Sequence, residues 1–200
     1  MTKKNNKIFI ISGPSGVGKT TVAKGVLRKL PFLKTTVTYT TRTKRLGKKE
    51  DKTVIHVDEE KFREKINRND FIEWAVVYDN LYGTDRRSLT QRLKQNHLLM
   101  NIDVWGALRL KARLPRQTIL IFLKTKTIEE LADHLKNRGK IPTAMFKLRL
   151  KNARQELALA KKYDYVVINE KNQVKTTINQ VADIIRRAAG QAWLFVNFRL

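Results

Sequence analysis

Residues Gly13, Pro14, Ser15, Gly16, Val17, Gly18, Lys19 and Thr20 fit the pattern G-x-x-x-x-G-K-[ST] without a mismatch. In such a loop the glycines let backbone N–H groups curl around phosphate oxygens, and a following helix N-terminus adds favourable partial charge. Lys19 has the reach to meet the β- and γ-phosphates of a nucleotide, and the Thr20 hydroxyl suits Mg²⁺. The pattern has this meaning only between a strand and a helix. The sequence supplies both: Lys7 to Ser12 is a short apolar, β-branched run, and Thr20 to Leu30 reads as a helix closed by Pro31.

The rest of the chain must position a second reactant. Thr35 to Thr41, Val54 to Val57 and Phe71 to Val77 read as strands around a short helix near Glu60 to Asn67, with a basic surface loop from Arg42 to Lys52. This clustering breaks simple strand–helix alternation, so residues 35–85 are expected to form an inserted, mostly β subdomain. Alternation then resumes, with helix at Arg87 to Lys94, strand at His97 to Ile102, helix at Gly106 to Arg113 and strand at Thr118 to Leu123. Thr127 and Glu130 have capping-box spacing, with Glu130 placed to reach back to the Thr127 backbone. A long helix from Pro142 to about Lys162, the strand Tyr165 to Ile168 and an amphipathic helix Val174 to Ala189 complete the pattern. The implied fold class is α/β, a three-layer core around a parallel sheet, within one domain. Its core is expected at 1–34, 86–126 and 151–190, with a helical lid at about 127–150 and an apolar tail at 191–200.

Composition narrows the setting. The chain has 200 residues, 42% hydrophobic, and no cysteine, which excludes a disulfide framework and thiolate metal sites. No apolar run reaches membrane-spanning length, and the short apolar stretch after the basic N-terminus leads into the glycine loop rather than a signal peptide. These features point to the cytoplasm, without a membrane partner. Lys and Arg total 42 against 18 Asp and Glu, giving a net charge of +24. Such a field attracts polyanions. Because the excess is spread along the chain, a phosphate-handling enzyme with a basic surface is favoured over a nucleic-acid binder. The three histidines, His56, His97 and His134, are scattered and suit structural roles.

A set of further motifs, in order, resembles the guanylate kinase family from about Lys7 to Ala189. After the loop come TYTTRTKR at Thr38 to Arg45, FIEWAVVYDNLYGT at Phe71 to Thr84 and NIDVWGA at Asn101 to Ala107. EELADHLKNRG at Glu129 to Gly139 and YDYVVIN at Tyr163 to Asn169 follow. The resemblance implies transfer of a phosphoryl group from ATP to GMP or dGMP, with Mg²⁺ and with either a monomer or a homodimer as the working form. It implies that Gly13 to Thr20 with Thr21 bind ATP. It places Arg42, Arg45 and Tyr82 on the acceptor phosphate, and Glu73, Thr38, Thr84 and Asp103 on the guanine base. Guanidinium groups suit a dianion, and a carboxylate at Glu73 can accept from the N1–H and N2–H₂ edge that adenine lacks. Lys19, Arg42, Arg138 and Arg149 match the family's catalytic cations, which neutralise charge on the moving group.

The chain departs from the family pattern at Lys48, Asp51 and Val54 in the basic loop, at Asn101 and at His134. Val54 stands where a tyrosine hydroxyl would meet the acceptor phosphate, and Asn101 removes an anion near the expected metal. Two other readings compete: a binding protein on the same scaffold with weak or no turnover, and a kinase with a shifted acceptor such as IMP.

Overall fold

The computed structural model describes residues 5–44, 53–136 and 142–190. Arg45, Lys48, Asp51, Arg138 and the 191–200 tail lie outside the described residues. Five strands form a wholly parallel sheet: β1 (Ile8–Ser12), β2 (Leu33–Lys34), β7 (His97–Asn101), β8 (Thr118–Lys124) and β9 (Tyr165–Ile168). Their order is β2-β7-β1-β8-β9, so β1 lies in the middle and carries its C-terminal end directly into the glycine loop.

The strand period of two explains the layers. On β1, Phe9 and Ile11 pack with residues of α1 (Lys19–Lys29) and α7 (Val174–Ala188), while Ile8 and Ile10 point the other way. That opposite face is covered by α3 (Arg86–Gln95) and α4 (Val104–Arg113) through Leu89, Val104, Ala107 and Leu110. All four apolar residues of β1 are fully buried, as a strand covered on both faces requires.

A second sheet lies between β2 and α3 in the chain. It comprises β3 (Thr38–Thr40), β4 (Val54–His56), β5 (Phe71–Val77) and β6 (Asn80–Asp85), in the order β4-β3-β6-β5. The helix α2 (Glu59–Asn67), capped by Asp58 accepting from the Lys61 N–H at 2.8 Å, lays Phe62 against Phe71 and Leu81. Neither β6 nor β2 is anticipated by the sequence pattern. β6 is polar and follows a two-residue turn whose residues, Tyr78 and Asp79, both have positive φ, at 47° and 63°. That is the geometry of a type I′ hairpin turn, usually signalled by Asn-Gly rather than by Tyr-Asp.

After β8, α5 (Ile128–Lys136) and α6 (Thr143–Ala158) follow. α6 ends earlier than the apolar pattern suggests; its chain breaks at Leu159 into one 3₁₀ turn, Ala160–Lys162. The capping box is half as expected. Thr127 Oγ1 accepts from the Glu130 N–H at 3.2 Å, but the Glu130 carboxylate takes the Lys126 N–H, not that of Thr127. No helix among the described residues is long and apolar enough to cross a membrane.

Candidate active site

The glycine loop is shaped by contacts that forbid side chains. Gly13 has φ +141°, and a Cβ there would lie 2.1 Å from the Leu123 carbonyl oxygen. Gly18, at φ +94°, caps α1, and its Cβ would lie 2.6 Å from Asn169 Nδ2. Both positions therefore need glycine. No side chain caps α1 and no acid occupies its first turn, so the helix start faces the loop with its partial positive charge uncancelled. Lys19 Nζ donates to the Gly13 and Pro14 carbonyls at 2.5 and 2.9 Å, inside the loop it serves.

Asn169 holds the loop from behind. Its Nδ2 donates to the Val17 carbonyl at 2.8 Å, and its Oδ1 accepts from the Thr177 hydroxyl at 2.8 Å, both within the protein interior. The sequence motif containing Asn169 was visible, but not this bracing role, which depends on β9 lying beside β8. Asn169→Ala is expected to lower stability by about 1–3 kcal/mol, because the Val17 carbonyl and Thr177 hydroxyl lose their buried partner. Thermal unfolding with and without ATP would measure it; an unchanged melting temperature would refute the bracing role.

Thr20 Oγ1 accepts from Asn101 Nδ2 at 3.2 Å, so the residue that departs from the family pattern touches the expected metal ligand. A lone hydroxyl supplemented by phosphate oxygens and water fits Mg²⁺, which keeps several waters and takes few protein ligands. Ser12 Oγ donates to the Ile102 carbonyl at 2.8 Å, tying the end of β1 to the start of α4.

The second sheet brings the predicted base contacts together. Thr38 lies opposite Thr84 across β3 and β6, and Glu73 lies opposite Thr84 across β5 and β6. The Thr84 hydroxyl donates to Glu73 Oε1 at 2.6 Å. Asp103 caps α4, its Oδ1 accepting from the Gly106 N–H at 2.9 Å. Glu73 Oε2 and Asp103 Oδ2 both border the Cα of Gly106, where a Cβ would lie 2.6 and 2.7 Å from them. Burial pushes the Glu73 carboxyl up to about 7, with Asp103 adding to the rise, against the Thr84 hydrogen bond and the Arg109 and Arg113 charges. Two carboxyl groups, one of them buried, thus meet over Gly106.

Arg42 follows β3, where its N–H donates to Thr40 Oγ1 at 3.2 Å and its carbonyl is bonded to His56 Nδ1 at 2.5 Å. Tyr82 lies on β6 between Thr40 and Ala75. Val54, on the edge strand β4, pairs with Thr38 and offers no hydroxyl. His97 accepts from the Lys7 N–H and packs between Phe9 and Phe32, so both of these histidines have structural partners.

Two site residues escape sequence reasoning. Glu156, on α6, is drawn up to about 7 by burial, with the Lys19 charge opposing and Asp103 adding to the rise. Its Oε2 is enclosed without a hydrogen-bond partner among the described residues. The Tyr78 ring lies 5.2 Å from the Arg149 guanidinium, and burial pushes its phenol up. Only tertiary packing reveals these meetings, since no spacing rule links 78, 149 and 156.

A phosphate loop together with an acid pair, Glu73 from an inserted sheet and Asp103 from the α4 cap, defines a P-loop phosphotransferase that acts on a small acceptor. Comparison makes the class particular. The family model "Guanylate kinase" matches residues 5–188. A guanylate kinase of Syntrophomonas wolfei is 41% identical over 82% of this chain and 84% of its own, and one of Caldanaerobacter subterraneus is 36% identical over 92% and 88%. The crystal structure of a guanylate kinase from Anaplasma phagocytophilum superposes with a TM-score of 0.77 at 30% identity, covering 94% of this chain and 89% of that one. The chain belongs to the guanylate kinase family, and is an enzyme of the nucleoside monophosphate kinase type.

Proposed function

We propose that the chain moves the γ-phosphoryl group of ATP onto the phosphate of GMP or dGMP, with the core as donor site, residues 35–85 as acceptor site and residues 127–150 as lid. The observation that carries this assignment is the Glu73–Thr84 hydrogen bond beside Asp103, above Gly106. Ionised Glu73 accepts from the N1–H and N2–H₂ edge of guanine, and the same carboxyl repels adenine, which presents no such donors there. Thr38 and Thr84 complete the polar wall. Arg42, Arg45 and Tyr82 clamp the acceptor phosphate against a second anion.

Gly13 to Thr21 cradle ATP. Lys19 exchanges its loop carbonyls for phosphate oxygens, and Arg138 and Arg149 spread positive charge over the group in transit. Thr20 would hold Mg²⁺, whose charge offsets that of the β- and γ-phosphates. No residue needs to be a strong base, since the acceptor oxygen is already anionic and positioning does most of the work. The chemistry requires an aqueous pool of nucleotides, as the cytoplasm supplies.

A coupled ADP-release assay across GMP, dGMP, IMP, AMP, CMP and UMP tests the reading. Turnover is expected with GMP and dGMP, and weaker turnover with IMP, which lacks the 2-amino donor. No GMP-dependent ADP at millimolar substrate would refute it; IMP ahead of GMP would shift the acceptor.

A further inference from the structure

The tip of the β5–β6 hairpin carries a feature that substrate binding does not explain. Tyr78 is a bulky residue in left-handed conformation, φ 47°, in the turn joining Val77 to Asn80. Such conformations persist where surrounding contacts over-determine them, and they concentrate at functional sites. Here two contacts do so. Asn80 Nδ2 donates to the Tyr78 carbonyl at 2.8 Å, fixing the turn. The Arg149 guanidinium, from α6, lies 5.2 Å from the ring centroid, within cation–π range.

Arg149 gains something specific from this. Its Nε is enclosed without a hydrogen-bond partner among the described residues. An aromatic face steadies a guanidinium without consuming its N–H donors, leaving the planar edge for phosphate oxygens. We propose that Tyr78 is a positioning residue: its ring holds Arg149 ready for the transferring phosphoryl group. The proposal rests on the phosphoryl-transfer reading above. One side chain at a hairpin tip thus links the second sheet to α6, which the chain contributes from a distant segment.

The test uses the full chain with Tyr78→Gly and Tyr78→Phe, each also in an Arg149→Met background. Glycine suits a positive φ, so Tyr78→Gly relieves the turn while deleting the ring. The expected result is an unchanged or raised melting temperature, a kcat about tenfold lower and a KM for GMP within about twofold of the parent. Tyr78→Phe keeps the platform and is expected to restore kcat to within about threefold. In the Arg149→Met background, Tyr78→Gly should cost at most about a further twofold, because the two act as one unit. Equal losses in both backgrounds would overturn the proposal, as would a normal kcat in folded Tyr78→Gly or a Phe variant as poor as the Gly one. If the parent turns over no GMP, the functional reading fails instead. Coupling between the two positions is then read from calorimetric affinity for an ATP analogue with a non-transferable γ-phosphate, and additivity there overturns the role of Tyr78.

Discussion

Gly106→Ala is expected to give a well-folded protein whose kcat/KM for GMP is at least about a hundredfold lower, with affinity for ATP unchanged. The added Cβ would stand 2.6 Å from Glu73 Oε2 and 2.7 Å from Asp103 Oδ2. Neither oxygen can yield cheaply. Glu73 is tied to Thr84 at 2.6 Å, and Asp103 is tied to the Gly106 N–H at 2.9 Å as the α4 cap. Both carboxyl groups must therefore shift, and a displacement near 1 Å at a recognition site costs about two orders of magnitude. Stability should hold, since alanine is favoured over glycine in a helix by about 1 kcal/mol. Steady-state kinetics, thermal unfolding and calorimetry with ATP would separate these effects. Full activity toward GMP would mean that the base lies elsewhere.

Glu73→Gln should trade recognition for stability, in a pH-dependent way. Burial first, with Asp103 adding, lifts the Glu73 carboxyl from 4.5 to about 7. For an acid raised in the folded state, the unfolded chain gives up its proton first as pH rises. The contribution to stability is complete below about 4.5 and is lost as pH climbs through 7, by roughly 3 kcal/mol. Glutamine does not titrate, so the variant without ligand should melt higher than the parent at pH 8 and differ less at pH 5. Its kcat/KM for GMP should fall about 30- to 100-fold, because an amide presents one acceptor and turns donors toward guanine donors. For the parent, KM for GMP should fall between pH 6 and 8 as Glu73 ionises. That slope should flatten in Glu73→Gln, and a parallel slope would assign the titration to another group.

Legibility in the sequence followed the range of the interaction. The phosphate loop was readable because its chemistry is contiguous, and β5 and β9 because apolar, β-branched runs mark strands to the residue, although β9 lies at the sheet edge and buries only Val167. The β6 strand hid behind Asn80, Gly83 and Asp85, which read as turn residues, although it supplies Tyr82 and Thr84 and is the strand on which β3 and β5 pair. Thr38, Glu73 and Asp103 were named through resemblance, but their meeting depends on register and on a helix cap. Glu156 and Asn169 act across 137 or more positions, and no local pattern encodes such a pairing; Asn169 reaches Val17 over a separation of 152.

The second sheet leaves and rejoins the core at one place. The Asp85 N–H donates to the Val37 carbonyl at 3.0 Å, while the Ser88 hydroxyl accepts from the Val37 N–H and from the Thr36 hydroxyl, each at 3.2 Å. Entry and exit strands are thus stitched side by side, and the chain between them closes on itself before the core resumes. An excursion with adjoining ends can be exchanged for another of different length without stretching the scaffold. The stretch between Thr36 and Ser88 is therefore joined to the core at a single seam, so a change in its length is expected to leave the glycine loop, and the sheet that holds it, as they are.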